Sequence, residues 1–211
     1  MSEKSKHFDD WAPRYDRQAA KEGFPLLGYE ETLSTILRLA DVGPGQRILD
    51  VGTGTGNLLE RVRARGCEFW GIDFSPKMLE TAQEKLPSAH FVCADLTTGI
   101  PQEVAGPFDV ILSAYTFHEF DTPTKLRLVA RLVDRLREGG RLLIGDVAFE
   151  TADALSNARE EYAEWWEEED YWIAARDLPK LIDRGYEASF HRVSFCGGIF
   201  RIERASSGIA A

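Results

Sequence analysis

Between residues 46 and 146, short apolar runs rich in Val, Ile and Phe alternate with amphipathic stretches. We expect five of the apolar runs to be strands, at residues 47–51, 68–72, 90–93, 109–113 and 141–146. The amphipathic stretches predict helices at residues 56–65, 76–86 and 123–137. Strands that alternate with helices are typical of a parallel sheet covered on both faces. The pattern therefore predicts an α/β fold with a doubly wound, Rossmann-like sheet.

The segments that flank this core fit a single domain. Residues 28–39 predict a helix that ends at the breaker DVGPG, and residues 177–184 predict a second, shorter helix. The runs EASFHRVSF and GIFRIER, separated by glycines, indicate a β-hairpin. There is no internal repeat. We divide the domain into an N-terminal helical cap (1–40), a ligand-binding core (41–148), an acidic aromatic insertion (149–175), and a terminal helix with the hairpin (176–204).

The charge and the cysteines argue against several classes of protein. Lys and Arg number 25 against 35 Asp and Glu, a net charge of −10 that repels nucleic acids and anionic membranes. Cys67, Cys93 and Cys196 lack the spacing of a metal site or a disulfide framework. The sequence begins MSEKSKHFDD, without an apolar signal, and no window approaches a membrane span. We expect a cytoplasmic protein without a metal site.

The segment RILDVGTGTGNLLERV carries the first candidate site. A predicted strand ends at Asp50, and Gly52, Gly54 and Gly56 follow before the next helix. Glycines allow a sharp turn and the close approach of a ligand. The dinucleotide fingerprint GxGxxG needs a third glycine where Asn57 stands, and Asp50 would repel a pyrophosphate. A ligand with a sulfonium and an ammonium group would not be repelled.

The next two predicted strands also end in carboxylates. Asp73 follows EFWGI, where it can accept hydrogen bonds from both hydroxyls of a ribose. Asp95 follows the third strand, where it can accept a hydrogen bond from an exocyclic amine, and Leu96 can pack on a base. Either aspartate alone could be a helix cap or a loop carboxylate. Three consecutive strands that end in Asp predict an adenosine site.

Five segments together resemble the class I S-adenosylmethionine-dependent methyltransferases: DVGTGTGN, GIDFSPKMLETAQEKL, ADL, FDVILSAYTFHEF and LREGGRLLIGDV. The resemblance covers residues 40–148. The segments FDDWAPRYD, AYTFHEF and GDVAFET are similar to a smaller group, the uncharacterised YrrT-like bacterial methyltransferases. The resemblance implies a seven-stranded, mostly parallel sheet whose last strand is antiparallel and inserted beside the sixth.

The resemblance also implies roles for individual residues. The loop with Asp50, Gly52, Gly54 and Gly56 would hold the methionine part of S-adenosylmethionine, and Asp73 would hold its ribose. Phe74 would pack beside the adenine, and Asp95 and Leu96 would frame its edge. Ser113 would line the cofactor site, and Tyr15 in the leader could reach the cofactor carboxylate. The leader could equally well pack on the sheet.

The segment SAYTFHEF would face the methyl group and its acceptor. His118 is the candidate base, because its ordinary pKa lies near neutrality, although it could instead be structural. Tyr115, Glu119 and Asp146 are weaker candidates. The sequence contains neither NPPY nor DPPY, with which amino-methylating nucleic-acid enzymes bind a flipped base, nor the Pro-Cys nucleophile of the cytosine C5 type. We therefore expect a small-molecule acceptor with a nucleophilic O, N or S atom.

Three further interpretations remain open. The aromatic residues of the acidic insertion could hold a cationic acceptor, or they could bury one face of a helix. The chain could be a non-catalytic S-adenosylmethionine-binding module that regulates a partner. A nucleotide-dependent oxidoreductase is a further alternative, although the missing third glycine counts against it.

Overall fold

The computed structural model describes residues 24–205. Within this range, strands β1–β8 form one sheet in the order β3-β2-β1-β4-β5-β8-β7, and the short β6 pairs with β5. The strands are β1 Arg47–Val51, β2 Glu68–Asp73, β3 His90–Cys93, β4 Phe108–Ala114, β5 Leu136–Phe149, β6 Trp172–Ile173, β7 Tyr186–Arg192 and β8 Gly197–Arg204.

The direction of the strands confirms the predicted sheet. The pairs β1–β2, β2–β3, β1–β4 and β4–β5 are parallel, whereas β8 runs antiparallel to both β5 and β7. The hairpin therefore inserts its second strand between β5 and β7. The short β6 raises the strand count above the expected seven.

Helices cover both faces of this sheet. They are α1 Tyr29–Ala40, α2 Asn57–Glu60, α3 Pro76–Lys85, α4 Thr122–Val133, α5 Ala152–Glu161 and α6 Ala174–Ile182. Leu33 and Ile36 of α1 are buried in the core on one face, and Val129 and Leu132 of α4 in the core on the other. Burial of each such side chain stabilises the fold by about 1.5–3 kcal/mol.

Two helices end at least four residues earlier than predicted, and tertiary contacts explain one of them. The helix predicted to reach residue 137 ends at Val133, because Leu136 pairs with Phe108 and begins β5. The helix predicted for residues 56–65 is only one turn long and is followed by a 3₁₀ turn at Arg63–Arg65. The strands predicted at residues 47–51 and 90–93 have the observed bounds.

The acidic insertion is helical only in its first half. After α5 a 3₁₀ turn covers Ala163–Trp165, and the chain then runs to β6. Tyr162 and Trp166 stack on Phe24 with ring centroids 5.2 and 5.3 Å apart, whereas Trp165 is 64% exposed. Tyr162 and Trp166 therefore contribute to packing, but the predicted helix face is wrong, because α5 ends at Glu161 and Trp165 is exposed. No helix within residues 24–205 is long and apolar enough to cross a membrane.

Candidate functional site

A cavity of about 320 Å³ opens at the carboxyl ends of the central parallel strands. In open α/β sheets, ligands bind at this edge, and the volume lies within the range of small-molecule sites. Its lining comes from the loops that follow β1, β2, β3 and β4. The lining residues are Gly52, Gly54, Asp73, Phe74, Met78, Asp95, Leu96, Thr97, Ala114, Tyr115, Thr116, Glu119 and Phe120.

The glycine loop forms one wall with its backbone. Gly52, Gly54 and Gly56 have φ angles of +71°, +52° and +78°, which side chains rarely adopt. A Cβ on Gly52 would lie 2.0 Å from Oγ1 of Thr116, so the loop after β4 packs directly on it. A Cβ on Gly54 would have open space around it. Gly56 caps α2 and packs on Ala82 of α3, away from the cavity lining.

Asp73 is fixed at the cavity wall by the backbone. Its Oδ2 accepts a hydrogen bond from the amide of Gly54 and its Oδ1 one from the amide of Ser75, both at 2.9 Å. The residue is 7% exposed and lines the cavity. An ionised carboxylate can accept about four hydrogen bonds. This arrangement fits the hydroxyls of a ribose.

Asp50 lies beneath the glycine loop and is 2% exposed. Its Oδ2 accepts a hydrogen bond of 2.9 Å from Oγ1 of Thr53. Burial raises the pKa of Asp50 to about 7; the hydrogen bond from Thr53 opposes this rise, and the charge of Asp73 adds to it. The carboxylate is not part of the cavity lining, so it would act on a bound cation through the loop.

An apolar wall completes the nucleoside end of the cavity. Phe74, Met78 and Leu96 lie there beside Asp95. Oδ1 of Asp95 accepts hydrogen bonds from the amide and the hydroxyl of Thr97, at 2.8 and 2.7 Å. Asp95 therefore caps the short 3₁₀ turn and also lines the cavity. Apolar side chains with a carboxylate at the edge suit an adenine.

Two predicted site residues have structural roles instead. Ser113 is buried, and its hydroxyl donates to the carbonyl of Val51 at 2.7 Å, so it ties β4 to β1 and does not line the cavity. Tyr115 lines the cavity, but its hydroxyl donates to Thr32 at 3.1 Å in the core and its ring stacks on Tyr29. Burial raises the pKa of Tyr115, which makes the phenol unsuitable as a base.

His118 forms a close pair with a buried carboxylate. Its Nδ1 lies 2.6 Å from Oδ1 of Asp146, and its amide donates to Oδ2 at 2.9 Å. Burial lowers the pKa of His118, but the charge and the hydrogen bond of Asp146 outweigh burial, so the pKa is raised. The imidazole does not line the cavity. Its Nε2 lies 4.0 Å from Oε1 of Glu119, which does.

The sequence did not single out five residues of the cavity lining. Met78 and Thr97 each follow a strand-end aspartate within five positions, and that spacing is the one signal that could have found them. Ala114 is the last residue of β4, and Thr116 and Phe120 belong to the loop after it. Tyr15, for which a contact with the cofactor carboxylate was one of two interpretations, lies outside the described residues. Within residues 24–205 no cluster of three or more His, Cys, Asp or Glu side chains could hold a metal ion.

Sequence comparison relates the chain to methyltransferases of bacteria. Residues 48–140 match the family model described as a methyltransferase domain. An uncharacterized methyltransferase of Geobacillus kaustophilus is 36% identical over 163 residues, which cover 73% of this chain and 71% of the relative. Another, from Geobacillus thermodenitrificans, is 33% identical over 156 residues, covering 70% and 68%.

Structural comparison gives the same fold. The magnesium protoporphyrin IX methyltransferase of Synechocystis, crystallised with bound SAH (S-adenosylhomocysteine), has a TM-score of 0.72 at 19% identity and covers 95% of this chain and 98% of its own. A TehB-like SAM-dependent methyltransferase from Corynebacterium glutamicum has a TM-score of 0.67 at 20% identity, covering 94% and 98%. At these identities the likeness extends to the fold alone.

Proposed function

The chain belongs to the class I S-adenosylmethionine-dependent methyltransferases, and from that premise we propose that it methylates a small molecule at a nucleophilic O, N or S atom. The observation that carries the proposal is the convergence of Gly54, Asp73, Asp95 and Leu96 around one cavity. The other end of this cavity, at Thr116, Glu119 and Phe120, is the proposed acceptor subsite.

The residues of the cavity fit S-adenosylmethionine at three points. Asp73 would accept hydrogen bonds from the ribose, and Phe74, Met78 and Leu96 would enclose the adenine, with Asp95 at its edge. The backbone of the glycine loop would hold the methionine part, above the buried carboxylate of Asp50. The bound cofactor supplies a methyl group on a sulfonium, which is already electrophilic. The protein must add alignment and exclusion of water and, for an acceptor that carries a proton, a base.

His118 is the proposed base. The hydrogen bond of its Nδ1 to Asp146 holds the imidazole in place. Tyr115 cannot share this role, because its hydroxyl is bonded to Thr32. A small acceptor is favoured over a nucleic acid by the net charge of −10, since anionic polymers would be repelled.

The proposal is tested by measuring cofactor stabilisation and turnover separately. S-adenosylhomocysteine at about a hundred times its Kd should stabilise the protein by about 2.7 kcal/mol, a rise in Tm of roughly 5–10 °C. Release of S-adenosylhomocysteine is then screened against amines, thiols, phenols and carboxylic acids, with duplex DNA and RNA as further arms. Turnover on a small molecule is expected.

Other outcomes separate the alternatives. Stabilisation without turnover on any acceptor, together with a ligand-dependent protein partner, would favour the regulatory module. Turnover confined to a nucleic acid would contradict the proposed acceptor class. Stabilisation by NADH in place of S-adenosylhomocysteine would favour an oxidoreductase.

A further inference from the structure

The side chains of His118 and Glu119, both in the 3₁₀ turn Phe117–Glu119, point in different directions. Glu119 lines the cavity at the proposed acceptor subsite, whereas His118 points to the end of β5, where it meets Asp146. The two side chains remain close, because Nε2 of His118 lies 4.0 Å from Oε1 of Glu119. The imidazole therefore lies between a carboxylate in the cavity and a carboxylate in the core.

Asp146 is bound in a way that fixes its own orientation. It is fully buried, and its Oδ1 accepts hydrogen bonds from Nδ1 of His118 at 2.6 Å and from the amide of Val147 at 2.8 Å. Its Oδ2 accepts from the amide of His118 at 2.9 Å. A carboxylate that accepts from Nδ1 requires the proton on that atom. In the neutral imidazole this leaves the lone pair on Nε2, the nitrogen nearer to Glu119.

Other charged groups face this pair. Glu169 acts on His118 from the acidic insertion and raises its pKa, in the same direction as Asp146 and Glu119. The buried ammonium of Lys125, on α4, interacts with Asp146. The ring of Tyr171 lies beside the imidazole with centroids 6.5 Å apart. Acidic groups thus dominate around His118 and favour the form that has accepted a proton.

From this geometry, and resting on the proposed function, we propose that Glu119, His118 and Asp146 form a proton-accepting relay for the methyl acceptor. Glu119 is the catalytic residue that contacts the acceptor's X–H group in the cavity. Nε2 of His118 receives the proton by way of the Glu119 carboxylate. Asp146 is a positioning residue, because it holds the proton on Nδ1 and keeps Nε2 available.

The proposed step balances without a further reactant. The lone pair of the acceptor atom X forms the bond to the methyl carbon, while the bond from that carbon to sulfur breaks and leaves its electron pair on sulfur. The X–H proton passes to the Glu119 carboxylate and on to Nε2, which gives the imidazolium. That proton returns to solvent after the product has left. Acceptors that have a lone pair on X and keep the X–H proton at neutral pH, such as phenols and hydroxyls, would need this relay most.

The first test is the tautomer of His118, which requires no acceptor. Long-range ¹H–¹⁵N NMR spectra of the imidazole should show a proton on Nδ1 and a bare Nε2 above the pKa of His118. In D146N the side-chain amide donates to Nδ1, so the proton should move to Nε2. A wild-type spectrum with the proton on Nε2 would overturn the proposal, whether or not turnover has been found.

The second test uses the small-molecule acceptor that gives turnover in the screen. D146N should lower kcat by about 10²–10⁴-fold, as expected for loss of a positioned base, with an unchanged Kd for S-adenosylhomocysteine. E119Q should lower kcat and also move the acid limb of the pH profile to lower pH, because removal of its charge lowers the pKa of His118. E164Q, the same change at an exposed carboxylate on the insertion, should alter neither quantity.

A merely structural role would give a different pattern. If D146N folds and binds S-adenosylhomocysteine normally but keeps kcat within twofold, the relay is wrong. If D146N fails to fold, E119Q decides, since an unmoved acid limb in that variant would also overturn the relay. A wild-type protein without turnover contradicts the proposed function, while the NMR spectrum still tests the position of the proton.

Discussion

Asp50 and Asp73 lie at the carboxyl ends of two neighbouring parallel strands, but only the carboxylate of Asp73 lines the cavity. That of Asp50 is turned under the glycine loop and bonded to Thr53. Asp73 instead accepts hydrogen bonds from the loop and from the start of α3. The two acids are therefore suited to different tasks: Asp73 to direct contact with a ligand, and Asp50 to the electrostatics of the loop.

Replacing Asp50 by Asn should raise stability and weaken cofactor binding. Because burial raises the pKa of Asp50 from 3.8 to about 7, ionisation of the folded protein is unfavourable, and the wild type loses stability as the pH rises from about 4 to 7. The neutral amide of the variant would avoid this loss of stability. Because a shift of one pKa unit corresponds to about 1.36 kcal/mol, the loss amounts to about 4 kcal/mol at most. Tm measured at pH 4, 5.5 and 8 should show a growing advantage of the variant.

The same variant tests the role of Asp50 toward a cation. Its affinity for S-adenosylmethionine should fall by about tenfold, and its affinity for the uncharged thioether S-adenosylhomocysteine by less. Calorimetric titration with both ligands checks this. Equal losses of affinity for the two ligands would show that the charge of Asp50 does not act on the sulfonium.

Gly52→Ala should destabilise the protein through a specific clash. The new Cβ would lie 2.0 Å from Oγ1 of Thr116, in addition to the strain of a φ of +71°. Left-handed backbone alone costs about 1–2 kcal/mol, and we expect about 2–4 kcal/mol in total. Gly45→Ala is the matched control, because Gly45 has a φ of +74° and open space around its Cβ. Urea unfolding that gives equal losses for the two variants would contradict the packing of the two loops.

Gly54→Ala should separate folding from binding. Gly54 has a positive φ and open space around its Cβ, as Gly45 does, but Gly54 lines the cavity. The two variants should lose similar stability, whereas only Gly54→Ala should lose affinity for S-adenosylhomocysteine, by tenfold or more. Calorimetric titration of both variants measures the two affinities. Equal affinities would show that the glycine loop does not contact the cofactor.

The Lys125→Met variant should be at least as stable as the wild type. The side chain is fully buried, its Nζ lies 5.0 Å from the ring centroid of Trp172, and this atom has no hydrogen-bond partner in the described part of the chain. The nearby Asp146, Asp170 and Asp177 each have other partners. Met keeps the packing and removes a buried charge, so we expect a gain of about 1–2 kcal/mol at pH 7.

The pH dependence of that gain gives a second check. Burial lowers the pKa of Lys125, against the opposing effect of the nearby carboxylates. The folded wild type therefore binds this proton less tightly than the unfolded chain, and its stability rises with pH through that range. The advantage of the Lys125→Met variant should shrink as the pH approaches 10. A loss of more than 2 kcal/mol at pH 7 would instead assign the ammonium a stabilising role.

The sequence was sufficient to predict the sheet and to place Asp73 and Asp95 at one edge of it. Buried parallel strands appear in the sequence as apolar runs, and their carboxyl ends lie at one edge of the sheet. Asp73 and Asp95 could therefore be expected at the cavity on that edge. The directions of single side chains were harder to predict. Ser113 and Glu119 belong to the same segment, SAYTFHEF, but Ser113 lies in β4, which is covered on both faces, whereas the 3₁₀ turn places Glu119 at the cavity. Long-range pairing of Leu136 with Phe108 extended β5 at the expense of a predicted helix.

The central claim is that the cavity beside Asp73 holds the adenosyl group of the cofactor, and its most direct test is calorimetric titration of S-adenosylhomocysteine into the wild type and Asp73→Ala. The wild type should bind one equivalent, and the variant should bind at least tenfold more weakly because the ribose contacts are lost. Asp134→Ala, at an exposed carboxylate on the C-cap of α4, should bind like the wild type. Equal affinity in the wild type and Asp73→Ala, or no binding to the wild type, would contradict the claim.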